Sequence, residues 1–120
     1  MNDIKDNIEI KLRIQIGEKL QFGPGKIFLM ETIKETGSIS AAAKKIGMSY
    51  RKAWKLINDL NTISEKKMVN TSIGGKGSGG AILTTTGEDF VELYRKMENK
   101  TLITIKNERI QLEKVLNKIR

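Results

Sequence analysis

The chain has no cysteine and no histidine. The first absence excludes disulfides and thiolate metal sites, and it leaves the redox compartment open. The second removes the commonest general base and the commonest metal ligand, so neither an enzyme nor a resident cofactor is expected. No apolar run approaches the roughly 18 residues that a bilayer-spanning helix requires. Asn2-Asp3 behind the initiator Met is also unlike a signal peptide. The expectation is a cytoplasmic protein with no membrane partner. Aromatic residues number only six and proline occurs once, at Pro24, yet 38% of the 120 residues are apolar. That suffices for a single domain with one hydrophobic core.

What is abundant is positive charge. The net charge is +8, and Lys44, Lys45, Arg51, Lys52, Lys55, Lys66, Lys67 and Lys76 stand against only Asp59 and Glu65 in about a third of the length. Such concentration on a small domain is equally compatible with a solubilising face and with a polyanion-binding surface, most often for nucleic acid. The spacing has to decide between them.

Ile8, Ile10, Leu12, Ile14 and Ile16 alternate with polar residues, which predicts a half-buried strand over Ile8 to Ile16. "GEKLQFGPGK" breaks the alternation and reads as a loop. Ile27, Met30, Ile33 and Lys34 recur at 3–4 spacing in a first helix, which Gly37 suits as a left-handed cap. A short helix follows, with Ser38 or Ser40 as its N-cap, three alanines that permit close approach, and Gly47 at its end. Ser49 then caps a third helix over residues 50–61. Turning by about 100° per residue gathers Ala53, Ile57 and Leu60 on one face and puts Arg51, Lys55 and Asn58 on the other. Trp54 borders the apolar face and is assigned to the core rather than to contact.

Two short segments, Met68 to Ile73 and Ala81 to Thr85, flank a glycine-rich stretch and predict a hairpin with a flexible tip. "GKGSGG" satisfies the G-x-G-x-x-G pattern but precedes a strand where a dinucleotide site needs a helix, so that reading fails. Lys76, Gly77 and Ser78 instead offer charge and a hydroxyl on backbone with little side-chain bulk. Residues 86–120 read as one long helix, weakened at Thr101, Thr104 and Arg109, with a break near Asn99 as an option. Leu102, Ile105, Leu112, Leu116 and Ile119 form a seam of coiled-coil spacing, which predicts a dimer contact.

A short helix, a glycine turn and a basic second helix make a helix-turn-helix, and the hairpin makes it winged. The fold class is therefore mainly α with a small β component, and the surface is suited to double-stranded DNA. The runs "TGSISAAAKKIGMSYRKAWKLINDLN" and "GGKGSGGAILTTTGEDFVELY" resemble the N-terminal DNA-binding domain of the molybdate-responsive transcription regulators, the ModE family, which is related to the LysR-type domains. The resemblance spans Ile8 to about Lys100. It implies a homodimer on a palindromic operator, with DNA contacts from Ser40, Ser49, Tyr50, Arg51, Lys52, Lys55, Lys76, Gly77 and Ser78. Tyr50 lies near the buried edge, where packing competes with contact. Family members continue into oxyanion-binding modules, and none is expected in this chain. Sensing is then absent, supplied by a separate ligand-binding protein, or located in a part of the protein beyond this chain. A protein–protein adaptor built on the same fold is the alternative function.

Overall fold

The computed structural model describes residues 8–72 and 80–118. Its elements run β1 (Ile14–Ile16), β2 (Leu20–Phe22), α1 (Pro24–Thr36), α2 (Ile39–Ile46), α3 (Tyr50–Ile63), β3 (Val69–Ser72), β4 (Gly80–Leu83), α4 (Thr85–Thr104) and α5 (Lys106–Lys118). The winged helix-turn-helix anticipated from the spacing is present, and the described part of the molecule measures 60 × 32 × 25 Å.

α1 is the central helix. Pro24 occupies its first turn, where a missing N–H costs nothing. Leu29, Met30 and Ile33 are fully buried against Ala42 and Ala43 of α2, Ala53, Ile57 and Leu60 of α3, and Val69, Ala81 and Leu83 of the wing. The one buried polar side chain of this helix, Thr32, donates its hydroxyl to the Phe28 carbonyl at 2.8 Å. A smaller cluster of Phe22, Ile27 and Tyr94 joins the N-terminal hairpin to α4. The Phe22 and Phe90 rings lie 4.5 Å apart.

Three sequence expectations need correction. The strand does not run from Ile8 to Ile16: only Ile14–Ile16 enters a ladder, and while Ile8, Ile10, Leu12 and Ile14 are half-buried as the alternation expects, Ile16 is exposed. The supposed loop contains β2, antiparallel to β1 with Ile14 opposite Phe22 and Ile16 opposite Leu20. The final helix is two helices, interrupted at Ile105 rather than at Asn99. Thr101 and Thr104 donate their hydroxyls to the carbonyls of Met97 and Lys100 at 2.8 Å. Such back-bonding bends a helix, and Ile105 (φ −97°, ψ 14°) leaves the helical region. Its carbonyl then accepts from Arg109 at 2.8 Å and starts α5.

α4 is latched to α1 by charge. Arg95 donates to both carboxylate oxygens of Glu31, at 3.0 and 2.7 Å, and to Glu98 at 2.8 Å. The hydrogen bonds to Glu31 push the Arg95 guanidinium further above its usual range, against the opposing effect of burial. The ion pair of Lys34 with Glu88, at 3.4 Å, adds a second link.

Candidate nucleic-acid interface

The helix-turn-helix is specified locally. Ser38 caps α2 by accepting from the Ala41 N–H at 2.8 Å, which leaves Ser40 exposed on the helix surface. α2 buries Ile39, Ala42 and Ala43, so its small residues bring its axis close to α1. Gly47 then turns the chain at φ 87°, a conformation that an L side chain rarely adopts. The N–H groups of Gly47 and Met48 both end on the Ala43 carbonyl, at 2.9 and 3.0 Å. Ser49 caps α3 in its turn, accepting from the Lys52 N–H at 3.1 Å.

α3 divides as the periodicity predicts. Ala53, Ile57 and Leu60 have no solvent exposure. Tyr50, Arg51, Lys52, Lys55 and Asn58 are exposed, and so is the capping Ser49. Trp54 is half-buried against the main core, in keeping with its assignment there. Tyr50 does not pack inward. It is 53% exposed and meets the Trp54 ring edge-on, with centroids 6.1 Å apart, so Trp54 supports it from below. Among the described residues, no carboxylate comes within ion-pair distance of Arg51, Lys52 or Lys55, whereas Lys45 of α2 is tied to Glu35 of α1. The exposed face of α3 is therefore cationic, polar and available.

The two strands of the wing follow α3 in the chain. β3 and β4 pair antiparallel with Val69 opposite Leu83 and Ser72 opposite Gly80. Its base is held on three sides. The Ala81 N–H donates to the Gly37 carbonyl at 2.9 Å, linking β4 to the α1–α2 turn. Asn61 of α3 accepts from Met68 and Val69 at 2.9 and 3.0 Å and donates back to the Val69 carbonyl at 3.1 Å. Thr84 caps α4 through the Gly87 N–H at 3.0 Å and donates to the Lys67 carbonyl at 2.6 Å. A Cβ on Gly87 would come within 2.1 Å of the Met68 carbonyl oxygen, so only glycine lets α4 lie this close to the wing. Sequence reasoning missed Asn61 and Gly87, because neither breaks a period and both act on strand backbone. The expected contacts Lys76, Gly77 and Ser78 lie outside the described residues.

The expected dimer seam is divided. Leu102 and Leu112 are 39% and 43% exposed, while Ile105 and Leu116 are half-buried; Ile119 lies outside the described residues. Ile103 and Val115, which the seam did not include, are more exposed still, at 66% and 55%. Among the described residues no helix is long and apolar enough to cross a membrane, and no cluster of acidic side chains could hold a metal ion.

No protein-family model matches the chain. Curated relatives do. It is 41% identical over 111 residues, 90% of its length, to "Transcriptional regulator ModE" of Yersinia pestis. It is 44% identical over 86 residues to the "DNA-binding transcriptional dual regulator ModE" of Escherichia coli, and 37% identical over 92 residues to its Haemophilus influenzae counterpart. The matched regions make up 42%, 33% and 36% of these relatives, so the chain spans well under half of their length. Among solved structures, a point mutant of Staphylococcus aureus MepR, a winged-helix protein, superposes with a TM-score of 0.51 at 16% identity, covering 80% of this chain and 77% of that one. The chain is a winged-helix domain homologous to part of the ModE transcriptional regulators.

Proposed function

We propose that the chain is the DNA-binding part of a cytoplasmic transcriptional regulator and that it has no enzymatic activity. α3 enters the major groove with Ser49, Tyr50, Arg51, Lys52 and Lys55 toward base edges and flanking phosphates. One observation carries this reading: a helix whose inner face is fully buried presents an exposed cationic outer face at the recognition position of a helix-turn-helix. Similarity to a protein named a DNA-binding regulator adds support.

The chain works as a homodimer on a two-fold operator. Exposed apolar side chains on α4 and α5, among them Leu93, Met97, Leu102, Ile103, Leu112 and Val115, support this reading. Lys76 and Ser78, between β3 and β4 in sequence and outside the described residues, extend the contact to the neighbouring backbone. Selection of bound sequences from random duplexes tests the reading. A palindrome whose half-sites lie about one helical turn apart is the expected product. Recovery of no preferred sequence, with no retention of duplex at low salt, overturns it.

A further inference from the structure

Beside α3 lies a groove of about 630 Å³ between the β1–β2 hairpin and the start of α1. Lys11, Arg13, Lys26, Lys52 and Lys55 line it, with Asp59 as the one acid. The acid is already engaged: Lys26 stands 4.0 Å from Asp59 and donates to the Gln21 carbonyl at 2.7 Å. That leaves Lys11 and Arg13, from the segment that leads into β1, lining the groove with Lys52 and Lys55 of α3. The segment Gly23-Pro24-Gly25 at the rim carries almost no side-chain bulk. The first turn of α1, which it opens, has no acidic residue. Four cations thus line one channel.

Resting on the DNA-binding reading above, we propose that this groove takes the sugar-phosphate backbone of the duplex that flanks the α3 site. The segment that leads into β1 is then a second backbone clamp, separate from the wing. Geometry favours a duplex over a small anion. A helix of about 10–12 Å diameter fills a major groove of similar width, so the phosphate ridges run along its sides. Lys52 and Lys55 belong both to the exposed face of α3 and to the wall of this channel, which makes the two surfaces continuous. The channel is also partly open to water, whereas a small anion needs an enclosing set of donors to replace its hydration. Backbone interactions of this kind carry no sequence information. They fix the register of α3 and add to the salt dependence of binding.

The test is the slope of log K against log salt for a short duplex of arbitrary sequence, measured for the whole chain, Lys11→Gln, Arg13→Gln and the double variant. Removing one phosphate interaction lowers the slope by about 0.9. Each single variant should therefore drop by about one unit, and the double variant by about two, equally on any sequence. Lys11 is exposed and makes no hydrogen bond among the described residues, so its substitution leaves the fold intact. Arg13 holds Gln21 at only 3.4 Å, and an unchanged melting temperature checks that variant. Wild-type slopes in folded variants overturn the clamp and leave the function standing. Failure of the unaltered chain to bind any duplex overturns both. Saturable one-to-one binding of inorganic tripolyphosphate, with variant slopes unchanged, reassigns the groove to small anions and overturns the proposal.

Discussion

The Asn61 side chain grips the backbone of Val69 from both directions, accepting from its N–H at 3.0 Å and donating to its carbonyl at 3.1 Å. It does so from the last turn of α3, and its oxygen also accepts from Met68. Of the three links that hold the base of the wing, this amide is the one that ties it to α3. Met68 and Val69 are 2% and 1% exposed, so water cannot easily replace those bonds.

Asn61→Ala should destabilise the domain by about 1–3 kcal/mol, the cost of leaving buried backbone groups unpaired. Asn61→Asp keeps the acceptor and loses the donor, and should fall between. Thermal melting followed by circular dichroism measures both, and the alanine variant is expected to melt several degrees lower. DNA affinity should fall along with stability, because the wing then loses its angle to α3.

Tyr94 makes stability depend on alkaline pH. Its hydroxyl donates to the Leu12 carbonyl at 2.6 Å, and its side chain is 1% exposed. Burial first, and the nearby Glu98 second, raise its pKa above the ordinary value of 10.0, with Arg95 opposing. Folding therefore favours the neutral phenol. This contribution is complete below the unfolded value and is lost as pH rises through the higher folded value. Tyr94→Phe should cost about 1 kcal/mol at neutral pH and show a shallower decline in stability above about pH 10. Urea melts across that range check it.

The proposed homodimer makes its contact through α4 and α5. Leu112→Asp combined with Leu116→Asp places two charges on that surface, where an unpaired buried charge costs several kcal/mol. Sedimentation should then report monomers, while the helix-turn-helix keeps its melting behaviour. A doubly substituted chain that still sediments as a dimer would move the interface to another surface, with residues 8–16 the next to test.

The division of α3 into a buried and an exposed face was legible in the sequence. The 3–4 spacing of Ala53, Ile57 and Leu60 identified the buried face of α3, and by subtraction its outer face, because a helix has only one direction in which to bury. Gly37 and Gly47 marked the turns, since both positions demand positive φ. Elements too short to show a period were not legible. Leu20–Phe22 has three residues, and only its pairing with β1 makes it a strand. The break at Ile105 arises from hydroxyl groups competing for helix carbonyls, which an apolar count does not register. The cationic groove combines Lys11 and Arg13 with Lys52 and Lys55, residues about forty positions apart, so it exists only once the segment leading into β1 lies beside α3.

The role of α3 as the reader of DNA stands or falls on the affinities of the unaltered chain, Arg51→Ala and Lys55→Ala for a selected duplex and for its scrambled counterpart. Removing a side chain that touches a base should cost about 1–3 kcal/mol on the selected duplex and relax preference at one position. Removing one that touches only phosphate weakens both duplexes alike. At least one of the two substitutions is expected to act at a base. If both variants bind the selected duplex as tightly and as selectively as the unaltered chain, the outer face of α3 does not read DNA.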